Sequence, residues 1–385
     1  MSGTSLQGLT LLGALCLSLT SLTAAQAHGA GTLFVANNGV DSATCGASQS
    51  PCRSLSRAID NARDGDRILV RPGVYGELTG DGDFNDPGEE AAEIGGGCRC
   101  MILVDKRLVI ASTDGPTVTV LDARGAQLDV VNITASHVVF GGDGAGFTVT
   151  GARTTGDDDG FGVAILADEG VRVIGNIAVD NRSIGFAAQG SRNIIRNNLS
   201  ISNGSGFNLG ATGAEGHFVI GNVAVSNGNE QEGGNGISLF GERQRVMGNR
   251  SIGNDGLGFF LVGAGGPEFL FQENEAIGNR GVGIWAEQSL PMELHRNNIY
   301  GNLGLPLFGF FPALPNCGLA NRSGSDIDAT RNYWGAPSGP GPDPADDAGP
   351  GSICDLNGET LVTPFAPRPF SVWTGPRLLD TSEAR

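Results

Sequence analysis

The chain has 385 residues, a formal net charge of −17 and 63 glycines, more than twice the glycine share of about 7% usual in proteins. No Gly-X-Y period accompanies the glycines and only 17% of residues are charged, which excludes collagen and argues against disorder. Lys106 is the only lysine and the sequence holds no basic cluster, so a nucleic acid or an anionic membrane would find no counter-charge.

In chain order, residues 1–27 read as an export signal. LTLLGALCLSLTSL is an apolar core, and Ala25-Gln26-Ala27 is a small-x-small cleavage site. No later segment has the length of apolar sequence that a membrane span needs, so a secreted or periplasmic protein is expected. Cys45, Cys52, Cys98, Cys100, Cys317 and Cys354 remain after the signal, an even number that suits disulfides in an oxidising compartment. Cys45–Cys52 and Cys317–Cys354 are the economical pairs. Cys98 and Cys100 either bridge or stay a reducible pair.

SLSRAIDNA (54–62) places Leu55, Ala58, Ile59 and Ala62 at helical spacing, followed by the strand RILV (67–70). The acidic stretch TGDGDFNDPGEEAAE (79–93) spaces Asp81, Asp83 and Asn85 like the first half of a calcium loop, with Glu89 among the acids able to close it. MILVDKRLVIAS (101–112) and TVTVLDA (117–123) add strands, and 135–151 and 160–176 lead into a repeat.

That repeat is a six-residue phrase opened and closed by asparagine: NIAVDN, NLSISN, NVAVSN and three variants, starting at Asn176, Asn198, Asn222, Asn249, Asn274 and Asn297. The period is roughly two dozen residues, in the range of solenoids. Within each phrase the alternation is period two, so three short strands per repeat build a parallel β-helix, about 4.8 Å per coil. Stacked coils lay the asparagines over one another as hydrogen-bonded ladders at turns, where their tolerance of left-handed geometry also serves. The sequons at Asn181, Asn198 and Asn249 are therefore ladder positions. Two apolar columns are expected inside: Val173, Ile195, Val219, Val246, Phe271 and Leu294 before the asparagine, and Val179, Ile201, Val225 and Ile252 after it. Domain boundaries follow as 28–100 for the front segment and first coils, 101–310 for the coils, and 311–385 for a closing segment and tail. A helix at the front and Trp334 at the back would cover the exposed strand edges.

CRSLSRAIDNARDGDRILVRPGVYGE (52–77) and NYWGAPSGPGPDPADD (332–347), with the phrases between them, resemble secreted right-handed parallel β-helix proteins of the pectin-lyase-like superfamily. The resemblance implies an all-β fold with an N-terminal capping helix. It implies a polysaccharide partner, because related members include polysaccharide lyases, glycoside hydrolases and polyuronate epimerases. The repeats also resemble periplasmic β-helix proteins of copper-site maturation. The polygalacturonase-type Gly-His-Gly and the epimerase Tyr-Gly-Phe-Asp-Pro-His are absent. A lyase base would have to be an arginine, since Lys106 lies outside the main repeats. His28, His137, His217 and His295 are dispersed and read as surface or turn residues.

One turn column carries charge: Arg182, Gly204, Gly228, Asp255 and Arg280, with Asp159 one coil earlier and Glu230 and Glu232 in an insertion. Asp159, Arg182, Glu230 and Arg280 are the candidate sugar-binding residues. Glu232 and Asp255 on adjacent coils would stand about 5–9 Å apart, the spacing of a glycosidase carboxylate pair. The competing expectation is a non-catalytic surface or periplasmic protein that binds or displays. Calcium at the acidic loop could bridge to a uronate polymer.

Overall fold

The computed structural model describes residues 30–84, 86–95, 98–154, 160–211, 213–228, 234–266, 268–287, 290–306, 312–341 and 352–372. The chain divides into Met1–Ala30 and Gly31–Arg385, so the expected export signal lies outside the described residues. No described helix is long and apolar enough to cross a membrane.

The second unit is built from three sheets of 12, 9 and 11 strands. One coil shows the plan. Arg172–Ile174 belongs to the 12-stranded sheet, Ile177–Val179 to the 9-stranded sheet and Ile184–Ala188 to the 11-stranded sheet. The next coil repeats the path, pairing in parallel with Ile194–Arg196, Leu199–Ile201 and Ser205–Leu209. This is the expected parallel β-helix. The first strand, Thr32–Val35, and the last, Thr360–Leu361, both belong to the 12-stranded sheet. Among the described residues the one antiparallel pairing between strands joins Glu93–Gly95 to Cys98–Val104.

The asparagine ladders are present and longer than the phrases. In the first, the backbone N–H and Nδ2 of Asn176 both donate to Asn198 Oδ1 at 3.0 and 3.2 Å. The same double donation repeats down to Asn297, which donates to Asn332 Oδ1 at 2.7 and 3.0 Å. Asn332, in the closing segment, is thus a seventh rung. A second ladder runs Asn181, Asn203, Asn227, Asn254, Asn279, Asn302. All these amides are buried, which removes Asn181, Asn198 and Asn249 as glycosylation acceptors.

Left-handed geometry falls elsewhere than expected. The residue before each first-ladder asparagine has φ between 54° and 69°, and four of these seven are not glycine: Asn197, Glu273, Arg296 and Arg331. The rung asparagines turn inward instead. Their inward direction sets the parity of the following strand. Counting by two from Asn176 puts Ala178 inside and Val179 outside. Ala178, Ser200, Ala224, Ser251, Ala276 and Ile299 accordingly form the inner file of the 9-stranded sheet. Val179, Ile201, Val225 and Ile252 do stack residue over residue, but on the outer face, half-buried. The other expected inner column is correct: Val173, Ile195, Val219, Val246, Phe271 and Leu294 are fully buried. One inner file of the 11-stranded sheet mixes aliphatic and aromatic residues, Val163, Phe186, Phe207, Ile237, Phe259 and Ile284, with Phe186 stacked on Phe207 at 5.0 Å between centroids.

The front helix spans Leu55–Asn61 and buries Leu55, Ala58 and Ile59. Ser54 caps it, its hydroxyl accepting from Arg57 N–H at 3.2 Å. Glu90, reaching over from the acidic stretch, accepts from Leu55 N–H at 2.8 Å and Ser56 N–H at 2.7 Å. At the other end Lys106 Nζ donates to the carbonyls of Ile59 and Asp60 at 2.7 and 3.1 Å, a cation on the negative end of the helix. Disulfides join Cys45–Cys52, Cys98–Cys100 and Cys317–Cys354, so the pair left open by the sequence is bridged.

Candidate functional site

Side chains alternate across each strand, so the outer face of the 11-stranded sheet follows from its inner one. One outer file runs Ala164, Ala187, Asn208, Ser238, Phe260, Trp285. A second runs Phe240, Val262, Glu287, Arg322. Small or polar residues make the floor over the middle coils, and two half-buried aromatics follow. Phe240 and Phe260 meet edge to face at 5.9 Å. Beyond them the face closes. Trp285 is fully buried with Leu257, Val282 and the Cys317–Cys354 bridge. Its Nε1 donates to Glu287 at 3.1 Å, and Arg322 lies over its ring at 5.9 Å. Beside the aromatics a recess of about 380 Å³ is lined by Gly213, Glu215, Phe240, Glu242 and Val262 among others.

Two charged edges border this face. Toward the 12-stranded sheet, carboxylates and guanidiniums alternate coil by coil: Glu169, Arg192, Glu215, Arg243, Glu268. Arg192 pairs with Glu169 and, at 3.6 Å, with Glu215. Arg243 pairs with Glu215 at 3.0 Å and Glu268 at 3.8 Å. Arg192 holds the Glu169 carboxyl below its ordinary range. Exposed pairs of this kind add little stability; their effect is to occupy the cations. The sequence carried a signal for this edge. The five residues stand three or four positions before the inner residues Val173, Ile195, Val219, Val246 and Phe271, and the change of offset hides the column.

The other edge holds the charged turn column. Backbone N–H groups of Gly204, Gly228, Asp255 and Arg280 each donate to the rung asparagine one coil earlier, at 2.7–3.1 Å, so the column is in register. Arg182 donates in the same way to Ala152, which gives the preceding position to Arg153 and not to Asp159. Asp159 itself lies outside the described residues. Glu230 and Glu232 lie outside them too. Arg182 is exposed, and Asp255 and Arg280 are half-buried.

In the acidic stretch Asp81 and Asp83 are exposed, with Asp83 N–H donating to Asp81 Oδ1 at 3.1 Å. Asn85 lies outside the described residues. Glu89 is buried and already engaged, accepting from the N–H groups of Leu78 at 2.7 Å and Thr79 at 3.1 Å. Glu77 is held the same way by Thr79 and Gly80 at 2.8 and 2.6 Å. Burial pushes the Glu77 carboxyl up, yet these donors outweigh it and leave it below its ordinary range. These two glutamates fold the loop.

His217 corrects a further expectation. It is fully buried, and its Nδ1 accepts the Asn193 N–H at 3.3 Å, an imidazole standing in a short third column with Asn193 and Gln244. Burial lowers its pKa to about 4.

A family model described as periplasmic copper-binding protein (NosD) matches residues 104–313. The chain belongs to the NosD family. No curated protein matches it. Among solved structures, a rhamnogalacturonan lyase is similar with a TM-score of 0.58 at 17% identity, over 87% of each chain. Pectate lyase Pel9A is similar at 0.45 and 15% identity, over 91% of this chain and 82% of that one. At such identities the likeness to the rhamnogalacturonan lyase shows the shared β-helix fold.

Among the described residues, the His, Cys, Asp and Glu side chains form no donor set that fits the copper in the NosD description. The one group of three His, Cys, Asp or Glu ligands is Asp41, Cys45 and Cys52, and both cysteines are locked in a disulfide. Copper sites use thiolate, thioether or imidazole donors. Here His217 is enclosed, His137 is exposed on its own turn, and His295 faces Asp328 at 3.2 Å.

Proposed function

We propose that this NosD-family chain is an exported protein that binds polysaccharide across the outer face of its 11-stranded sheet. The observation that carries the reading is the pairing of half-buried Phe240 and Phe260 with a small, polar floor. An aromatic face takes the apolar C–H side of a sugar ring, while the amide and hydroxyl of Asn208 and Ser238 meet its hydroxyls. Apolar residues at 1–27, three disulfides and the family's periplasmic description support export. In the same reading the helix Leu55–Asn61 plugs the first coil against edge pairing.

The test is a panel of purified polysaccharides, with and without calcium, scored for retention of the chain and for product. Calcium belongs in the panel because the Asp81 and Asp83 carboxylates are exposed. Retention without product supports a binding module. New reducing ends would support hydrolysis by Glu232 and Asp255, and Asp255→Asn should then abolish it. An unchanged rate in that variant would eliminate the pair.

A further inference from the structure

We infer that the polymer accepted by this face is uncharged, and that the face rejects uronates; the inference rests on the carbohydrate-binding reading above. A uronate chain carries one carboxylate on each sugar and needs cations at the spacing of its residues. The described cations around the face are committed elsewhere. Arg192 and Arg243 are shared among Glu169, Glu215 and Glu268. Arg322 is held by Glu287 at 3.7 Å over the Trp285 ring. On the opposite edge Arg153 pairs with Asp180 at 3.2 Å, and Arg182 and Arg280 have partners as well. The single lysine, Lys106, is spent on helix carbonyls.

Carboxylates are what the recess presents. Glu215 and Glu242 line it on neighbouring coils, next to Phe240. The whole chain adds a field of the same sign, at a net −17, and like charge slows and weakens polyanion association. A neutral polymer escapes both penalties. Its ring stacks on Phe240 and Phe260, and its hydroxyls donate to Glu215 and Glu242. The shared fold with uronate-acting enzymes is then a scaffold whose face has been rewritten for a neutral ligand.

The experiment is affinity electrophoresis of the mature chain through neutral glucans, mannans and galactans, and through polygalacturonate and alginate. Each is run at low and physiological ionic strength, without calcium and with it. The expected result is retardation by at least one neutral polymer, unchanged by salt, and none by either uronate. Phe260→Ala should weaken neutral retardation about ten-fold, the loss of one well-placed contact. Glu169→Gln, Glu215→Gln and Glu268→Gln together free Arg192 and Arg243 and should create polygalacturonate retardation that salt abolishes. Uronate retardation of the unmodified chain equal to that by neutral polymers, in either calcium condition, overturns the inference while leaving the carbohydrate reading intact. Silence across every polymer overturns that reading and this inference with it.

Discussion

His217 stands in a column otherwise filled by amides, and its imidazole must stay neutral to remain there. Its pKa is lowered to about 4 by burial, against about 6.5 in an unfolded chain. Above pH 6.5 neither state binds the proton, so stability is unaffected. Between 6.5 and 4 the unfolded chain binds it and the folded one does not, so stability falls as pH falls. The loss totals roughly 3 kcal/mol, at 1.36 kcal/mol per unit. Urea midpoints taken from pH 7 to pH 4 should show the decline, and His217→Asn should remove that part of it while still accepting the Asn193 N–H. An identical decline in the variant would mean that other groups carry it. Residues were legible in the sequence where spacing is strict. The ladder asparagines recur within each phrase at a fixed offset of five, and that spacing displays their stacking. His217 is not legible in this way, because a single histidine in a column of unlike residues has no periodicity to betray it. The parity of Val179 and its equivalents is hidden because a ladder asparagine at a turn and one turned inward have the same spacing in the sequence, and only the inward one puts Ala178 inside.

At the scale of elements, three-residue strands leave little for local propensity to decide, and stacking does the rest. A strand such as Arg250–Ile252 is defined by what pairs with it on either side. The glycine at the start of the middle strands of the 11-stranded sheet, from Gly162 to Gly283, is required by that stacking. A Cβ on Gly206 or Gly258 would strike the carbonyl of the glycine one coil on, Gly236 or Gly283; the demand is for space, and a positive φ plays no part. The disulfides separate elements that need a staple from one that does not. Cys317–Cys354 spans 37 residues and ties two neighbouring strands of the 11-stranded sheet. Closing a loop of that length restricts the unfolded chain by about 4 kcal/mol in the chain-entropy account. Cys98–Cys100 spans 2 residues inside one strand and restricts almost nothing. Replacing both members of the first pair by serine should therefore lower the urea midpoint sharply, and the same change in the second pair should leave it nearly unmoved. Equal losses would show that the bridges act through native packing, not through the unfolded state. Sequence order makes the long pairing the economical one, and the geometry of two adjacent parallel strands is what brings the two cysteines together.

For the Gly31–Arg385 unit as a whole, the repeat was the readable part and its surface was not. Inner files answer to one rule, burial of like over like, so a single sequence displays them six times over. The outer face has no such rule: Ala187, Asn208, Ser238 and Phe260 share a file and no chemistry, and their common position emerges only from the pairing register. The same register yields a test of the architecture. Stability in a stacked array is a sum of coil terms and neighbour interfaces, so whole coils are removable units. Deleting residues 198–221 takes out one strand from each sheet and brings Asn176 against Asn222, Ile177–Val179 against Val223–Val225, and Ile194–Arg196 against Arg245–Met247. Both ladders then reclose, since Asn181 meets Asn227 in place of Asn203. The shortened chain should fold with an unchanged β-sheet circular dichroism signature and a reduced but cooperative urea transition. Deleting half that segment, residues 198–209, removes strands from two sheets and leaves the third intact, so no register satisfies all three and the buried amides lose their acceptors. That chain should fail to fold. If the two deletions behave alike, coil register is not what organises the molecule, and the position of every outward residue on the candidate face would need a different explanation.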